Sequence, residues 1–575
     1  MSFRNYRKII LTGGFILLIS IATTSLFAVS AQCDVDGTSS NQGTAGDDKI
    51  VCNPSNDPSG STVQGEDGND TIIIDTGVNA NTVRGEGDDD NITINGTANN
   101  VRGNDGNDDV TANGTVNNNI NGDDGNDNVT VNRDGTANNA NGGNDDDNVT
   151  INGTVNNASG GNGNDNVTIN GTVNNNASGG GDDDNVTVNG VVNGDARGNN
   201  GNDNVTVNGE VNGDANGGGG NDNVTINGTA ENASGGNGND NVTINSDATV
   251  NNDASGGAGD DTITINGTVG NDADGDSGND IITVNGVVQG DVQGNSGDDT
   301  ITINGLVDDD VEGNSGNDVI TINGTVGEDA EGGNGDDTIT VNGLVVNDVS
   351  GEGGNDDIII NGTVQDDVEG GSGEDNITIN GTVDGDVTGG NDDDSIIIND
   401  DASINGMIDG QGGNDTLLFD MVICPIDGLD VDSLNNSIEN SEETDTVRIG
   451  NRTFAWMSIE NLESNIEETE CMSVEEFFDG RIDGIQCPIF VNPNFMTVYD
   501  TSGEYHTTIT PALLTSVPAT RNLLSQNATG TARIFHMPDG QIQVECDVWD
   551  SFLNIYKTDI YVFDHINDRS VETLQ

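Results

Sequence analysis

Between Phe27 and Phe419 the chain contains no Phe, Trp or Tyr. A stretch of that length without aromatic side chains must build its core from valine, isoleucine and alanine, and such a core is thin. Positive charge is almost as scarce, with 15 Lys and Arg against 100 Asp and Glu and a net charge of −85. That balance excludes nucleic acid as a partner and argues against an anionic membrane surface. Only three histidines occur, His506, His536 and His565, scattered and without a nucleophile motif; HExxH, GxSxG and P-loop patterns are all missing. The expectation is therefore a protein that is not an enzyme. All six cysteines lie outside the repetitive part and no CxxC pair suggests zinc, while an even number fits an oxidising compartment.

What the chain does have is a repeat. Residues 160–181 read GGNGNDNVTINGTVNNNASGGG, and the phrase recurs with small edits from about residue 68 to about residue 415. With Gly163 as position 1, the register falls at 68, 87, 106, 125, 144, 163, 182, 201 and 220, in steps of 19. A step of 18 leads to Gly238 and one of 21 to Gly259; steps of 19 then run to 392, and a last step of 21 reaches Gly413. Nineteen registers result, with aspartate at position 3 in every one: Asp70, Asp89, Asp108, Asp127, Asp146, Asp165, Asp184, Asp203, Asp222, Asp240, Asp261, Asp280, Asp299, Asp318, Asp337, Asp356, Asp375, Asp394 and Asp415. Asn144, Asp182 and Asp392 stand where the other registers have the position-1 glycine, which predicts weaker sites there.

A fixed period of about 20 residues marks a solenoid, in which each repeat buries its apolar side only by stacking on its neighbours. Val167 and Ile169 flank Thr168, an alternation that turns two side chains inward and the threonine outward on a β-strand. The second half of the repeat predicts another short strand with Val173 inward, and the Asn-Gly and Gly corners supply turns with positive φ. The predicted fold is all-β: a right-handed parallel β-solenoid (β-roll or β-helix) of about 19 coils, with a C-terminal cap and a small, mostly β domain.

Residues 160–168 match G-G-x-G-x-D-x-U-x, with U a large apolar residue. On this motif the chain resembles the RTX (repeats-in-toxin, haemolysin-type) calcium-binding β-roll family over about 350 residues, as a 19-residue variant. The resemblance implies Ca2+ as the bound ion, with the position-3 aspartates and glycine-turn carbonyls as ligands. The physics agrees: calcium takes six to eight oxygens, and stacked aspartates form a column of like charge that needs cations. In the usual β-roll the nonapeptide repeats back to back, whereas here it occurs once per coil, so calcium is expected along one edge. Acids at position 14, including Asp195, Asp214, Asp291, Asp310, Asp329, Asp348, Asp367 and Asp386, lack the glycine cradle and read as a solvated face.

Outward Thr168 and Asn170, repeated as Thr206 and Asn208 or Thr321 and Asn323, form a ladder of hydroxyls and amides. The period is similar to that of calcium-dependent ice-binding repeats in a bacterial adhesin, where the ice face uses a threonine between the two turn glycines. Here that place holds Asn162, Ala258, Ser277 or Gly353. Two roles follow as expectations. One is a secreted calcium-stiffened structural or adhesive module. The other is a calcium-dependent module that binds ice or an extracellular polysaccharide through the Thr/Asn face.

At the start, Arg4, Arg7 and Lys8 precede an apolar run over residues 9–27 and then Val29-Ser30-Ala31, the pattern of a secretory signal cleaved after Ala31. Gln32 before Cys33 is not a lipoprotein context. The expected organisation is a signal peptide at 1–31, an N-terminal cap with a degenerate first coil at 32–67, and repeats at 68–416. A C-terminal cap at 417–470 and a small disulfide-containing domain at 471–575 follow. The expected location is extracellular or at the surface of a bacterial cell, with no membrane insertion after cleavage. A Cys33–Cys52 bridge would staple the cap, and the pairing of Cys424, Cys471, Cys487 and Cys546 stays open. Residues 531–536 and 541–547 flank Pro538-Asp539-Gly540 and predict a β-hairpin.

Overall fold

The computed structural model describes residues 32–423 except 59, the segments 434–435, 438–439 and 445–449, and residues 452–468, while eight strands between 489 and 574 are described as backbone alone. The signal-peptide expectation falls on residues outside the described part, and so do the side chains of Cys424, Cys471, Cys487 and Cys546. The chain forms two compact units that divide between Gly180 and Gly181.

A complete coil contributes three strands, although in the first unit some coils have two, as with Asn91–Ile94 and Thr97–Asp105. A coil of the first unit runs through Asn148–Ile151, Thr154–Val155 and Asn157–Asn162, and one of the second through Asn204–Val207, Glu210–Val211 and Asp214–Gly219. Successive coils pair parallel and in register, Val129 with Val149 and Val149 with Val167 in the first unit, Val205 with Val224 and Val224 with Val242 in the second. The expected alternation holds. Val205, Val207, Val211 and Ala215 are at most 1% exposed, whereas Thr206 faces outward. Burying a valine contributes roughly 1.5–3 kcal/mol, but one coil has both of its flat sides open. The contribution is realised only when coils above and below close them, so the stack is the folding unit.

The third strand departs from the two-strand reading. Gly217 and its glycine neighbours, expected as a turn, continue a strand from Asp214 to Gly219 that pairs in register with Asn232–Asn237 even though Gly218 bends it. Glycine has little strand preference of its own. Here the strand is imposed by the coils on either side, and the missing side chain at Gly217 leaves room for another residue, as described below.

Each unit also carries capping strands. In the first, Asp34–Val35 runs antiparallel to Lys49–Cys52, which starts the parallel ladder by pairing with Thr71–Ile74. A buried Cys33–Cys52 disulfide ties this edge down, as expected. In the second, Thr416–Ile423 pairs parallel to Ser395–Asn399 and Asn461–Glu468 adds one further rung, with Leu417 opposite Leu462. Phe419, Phe454 and Trp456 fill the interior there, with Phe419 ring centroids 5.4 and 5.9 Å from the other two. These are the larger apolar side chains that an open solenoid end needs.

Beyond residue 488 the described strands form a three-stranded and a five-stranded antiparallel sheet. The expected hairpin is present in the second, with Thr531 paired to Asp547 and His536 to Ile542.

Candidate metal site along one edge

The passage from the third strand of one coil to the first strand of the next forms a repeated edge. In the second unit it reads Gly217-Gly218-Gly219-Gly220-Asn221-Asp222, with φ of +125° at Gly218 and +131° at Gly220. These two positive φ values turn the backbone twice within three residues. A side chain at either place would also collide: a Cβ on Gly218 would lie 2.0 Å from the Asn199 carbonyl oxygen, and one on Gly220 1.8 Å from that of Gly201. Carbonyl oxygens of each coil thus point at the next along this edge.

Asp222 folds back beneath the turn and is 1% exposed. Its Oδ1 accepts the backbone N–H of Asp203 at 2.7 Å, and the Asp222 N–H in turn donates to Asp240 Oδ1 at 2.7 Å. Its Oδ2 is buried without a hydrogen-bond partner. The carboxylate occupies the space that a side chain at Gly217 would take, since a Cβ there would lie 2.5 Å from Oδ2. The same pattern holds for Asp70, Asp108 and Asp127 in the first unit and for Asp261, Asp280, Asp299, Asp318, Asp337, Asp356, Asp375 and Asp394 in the second. Asp165 and Asp184 are equally buried.

Burial is the first cause that raises the carboxyls of Asp147, Asp203, Asp318 and Asp356, and neighbouring aspartates push the same way against the backbone N–H that each accepts. Asp203 rises to about 6, Asp318 and Asp356 to about 7, and Asp147 to about 8. An oxygen-only environment that raises carboxylates in this way has the donor chemistry of a hard-cation site. The residues present therefore fit calcium: an orphaned buried carboxylate oxygen beside a turn rich in backbone carbonyls, with no histidine or thiol.

Two of the expected positions are corrected. Asp89 and Asp146 are exposed, and the buried places belong to Asp90 and Asp147, which accept the N–H groups of Asp70 and Asp127 at 2.7 Å. Asp88 and Asp145, with φ of +69° and +74°, take the place of the turn glycine, so a count from Gly87 or Asn144 starts one residue early. Asp89 and Asp146 instead join an outer row of position-2 residues, accepting the N–H of Asn107 at 2.8 Å and of Asn164 at 2.9 Å.

The ladder also extends past both expected ends. Asp48, 8% exposed, donates its N–H to Asp70 Oδ1, and Gly46-Asp47-Asp48 was the available signal. At the far end the Asp415 N–H meets Glu460 Oε2 at 3.0 Å, so an exposed glutamate closes the column.

The opposite edge of the second unit is built differently. Asp291, Asp310, Asp329 and Asp348 accept the N–H of the following coil at 2.8–3.1 Å, the reverse of the buried column. Carboxylate oxygens of Asp348, Asp366 and Asp367 lie within 4.8 Å of one another, but all three remain partly or fully exposed.

The outward face of the first strand differs from both edges. In the second unit its three columns begin at Asn185, Thr187 and Asn189 and end at Thr338, Thr340 and Asn342, and no residue in them is charged. Ile281 and Val319 stand on this face at 49% and 42% exposure. Along the third column Asn208, Asn227 and Asn245, and again Asn285, Asn304, Asn323 and Asn342, donate Nδ2 to the preceding Oδ1, for example Asn304 to Asn285 and Asn323 to Asn304 at 2.9 Å.

Fold and edge together define a parallel β-solenoid with an internal aspartate column. No family model and no curated protein matches the chain, so the RTX resemblance rests on the repeat motif alone. Among solved structures it is similar to a hyperactive, Ca2+-dependent, β-helical antifreeze protein from an Antarctic bacterium, at 23% identity and a TM-score of 0.35. The similarity covers 54% of this chain and 89% of that one.

Proposed function

We propose that this chain is a secreted calcium-binding β-solenoid, folded and stiffened by Ca2+ outside the cell, and that it serves there as a non-enzymatic structural or adhesive module. The observation that carries the reading is the buried Oδ2 without a donor at Asp70, Asp90, Asp108, Asp127 and Asp147, and again at Asp203 and the buried aspartates from Asp222 to Asp415. A column of such oxygens is unfavourable as built, because a buried charge without a partner costs several kcal/mol. A divalent cation held by Oδ2 and the turn carbonyls removes that cost. At a net charge of −85 the stack also repels itself, so the folded state should depend on the ion.

The test is far-UV circular dichroism during calcium titration, with chelator and magnesium as controls. Cooperative gain of β signal at about 10⁻⁴–10⁻³ M calcium, typical of extracellular sites, and none with magnesium, is the expected result. A β-rich spectrum in chelator that ignores calcium would refute it.

The uncharged face favours a second reading. A chain with 100 acidic residues keeps one flat face free of charge over nine coils, between Asn185 and Asn342. Such a face suits an ordered, uncharged, hydroxyl-rich surface such as ice or a polysaccharide. Thr302→Lys with Thr321→Lys should abolish ice shaping or retention on insoluble polysaccharide while leaving calcium-induced folding intact. Wild-type protein inactive in both assays would remove this reading.

A further inference from the structure

The third outward column carries a second chemical property. In the coils headed by Asn266, Asn285, Asn304, Asn323, Asn342, Asn361 and Asn380 the ladder asparagine is followed by glycine. That glycine is forced by the stack: a Cβ on Gly324 would lie 1.9 Å from the Gly305 carbonyl oxygen, and one on Gly343 2.0 Å from that of Gly324. The ladder requires an amide and the stack requires the glycine after it. Together they impose Asn-Gly, the dipeptide whose side-chain amide is most open to attack by the following backbone nitrogen, because glycine has no Cβ to shield it.

We propose that this ladder is a modification site: the folded stack protects these asparagines, and opening of the stack commits them to deamidation. The glycine nitrogen gives up its proton and bonds to Asn Cγ, the Cγ–Nδ2 bond breaks, and ammonia leaves a five-membered succinimide. Water then adds to either ring carbonyl and yields aspartate or isoaspartate, so that the sum is asparagine plus water giving the acid plus ammonia.

Both reacting groups are occupied in the folded chain. The N–H of Gly305, Gly324 and Gly343 donates to Val284, Ile303 and Ile322 of the preceding coil at 3.0 Å. The carboxamides of Asn304, Asn323 and Asn342 are held in the ladder at 2.9 Å, directed at the neighbouring coil and not at their own glycine. Conversion cannot be accommodated afterwards. Aspartate has no Nδ2–H to donate, and isoaspartate lengthens the main chain by a methylene in a register fixed on both sides. A chain left open therefore loses the capacity to close.

The inference rests on the calcium reading only for the trigger, and the experiment separates the two. The full chain is incubated at about pH 8 in calcium, in chelator and in urea, and the Asn-Gly peptides are quantified by mass spectrometry. Asn204-Val205 and Asn223-Val224 serve as internal controls. The expected result is conversion at Asn-Gly in urea and in chelator, at least about tenfold slower in calcium, with the Asn-Val controls unchanged. Recovery of β signal after return to calcium should fall in step with conversion. Conversion in calcium as fast as in urea would overturn the proposal, and so would full refolding of converted chains. Protection in chelator equal to that in calcium, with conversion in urea, would keep the protection and remove the calcium trigger.

Discussion

Replacing Asp318 separates a metal ligand from a turn former, because its two oxygens have different tasks. Oδ1 accepts the Asp299 N–H at 2.7 Å, while Oδ2 is buried beside Gly313 with no hydrogen-bond partner. Asp318→Ala deletes both and leaves the Asp299 N–H buried and unsatisfied, a loss of about 1–3 kcal/mol with or without calcium. Asp318→Asn keeps the acceptor and the shape but exchanges Oδ2 for an amide nitrogen. In chelator this removes a carboxylate that burial, Asp299 and Asp337 all disfavour, so the coil should gain stability. In calcium it removes a ligand oxygen, so the coil should lose stability. Hydrogen exchange read by mass spectrometry over residues 299–341 reports both, since 1–3 kcal/mol corresponds to roughly five- to 150-fold in opening. The asparagine variant must shift in opposite directions in the two conditions. An equal shift, or none, would mean that Oδ2 takes no cation and that the column is held by Oδ1 alone.

Gly220→Ala should cost at least about 2 kcal/mol at its coil, through positive φ and a Cβ set against the Gly201 carbonyl, read as a raised calcium midpoint for folding. An unchanged midpoint would contradict the close approach. Burial raises the carboxyls of Asp203, Asp318 and Asp147 from 3.8 to about 6, 7 and 8 in the folded chain, so the calcium-free fold holds the additional protons. Its stability is therefore greatest below pH 3.8 and is lost as pH rises through about 6–8. Circular dichroism in chelator should show more β structure at about pH 5 than at about pH 8, and the calcium midpoint at about pH 8 should lie below that at about pH 6. A spectrum indifferent to pH in chelator would count against burial of the column. Reducing Cys33–Cys52, separated by 19 residues, should remove up to about 3 kcal/mol from the first coils only. Exchange over residues 32–74 would rise while that over residues 299–341 stays fixed, and a global rise would place the bridge in a wider role.

Much of this was legible because the period repeats within one chain. The inward Val and Ile, the outward Thr and the place of the buried acid recur often enough to read without a structure. The errors came where the anchor was lost. In Asp88-Asp89-Asp90 glycine no longer marks the turn, and only the strand side fixes the count: Ile92 follows Asp90 by two residues, as Val167 follows Asp165. The glycine-rich third strand was missed for a physical reason, since Ala, Ser and Gly carry no strand signal and are held extended by the coils above and below. Which carboxylate oxygen is satisfied, and which is not, depends on the direction of the ladder between coils, and no single repeat contains that information.

The aspartate column keeps its N–H to Oδ1 hydrogen bond, at 2.7–3.0 Å, whether successive acids are 18 residues apart, as from Asp222 to Asp240, or 21, as from Asp240 to Asp261 and from Asp394 to Asp415. Extra residues are absorbed at the other corners, as at Ser246-Asp247, while the acidic edge stays in step. A whole coil can therefore be gained or lost by unequal recombination between near-identical repeats without disturbing those on either side. The length of this protein is accordingly a quantity that inheritance can adjust one coil at a time, and related genes should differ by integral coils more readily than by substitutions at the buried aspartates.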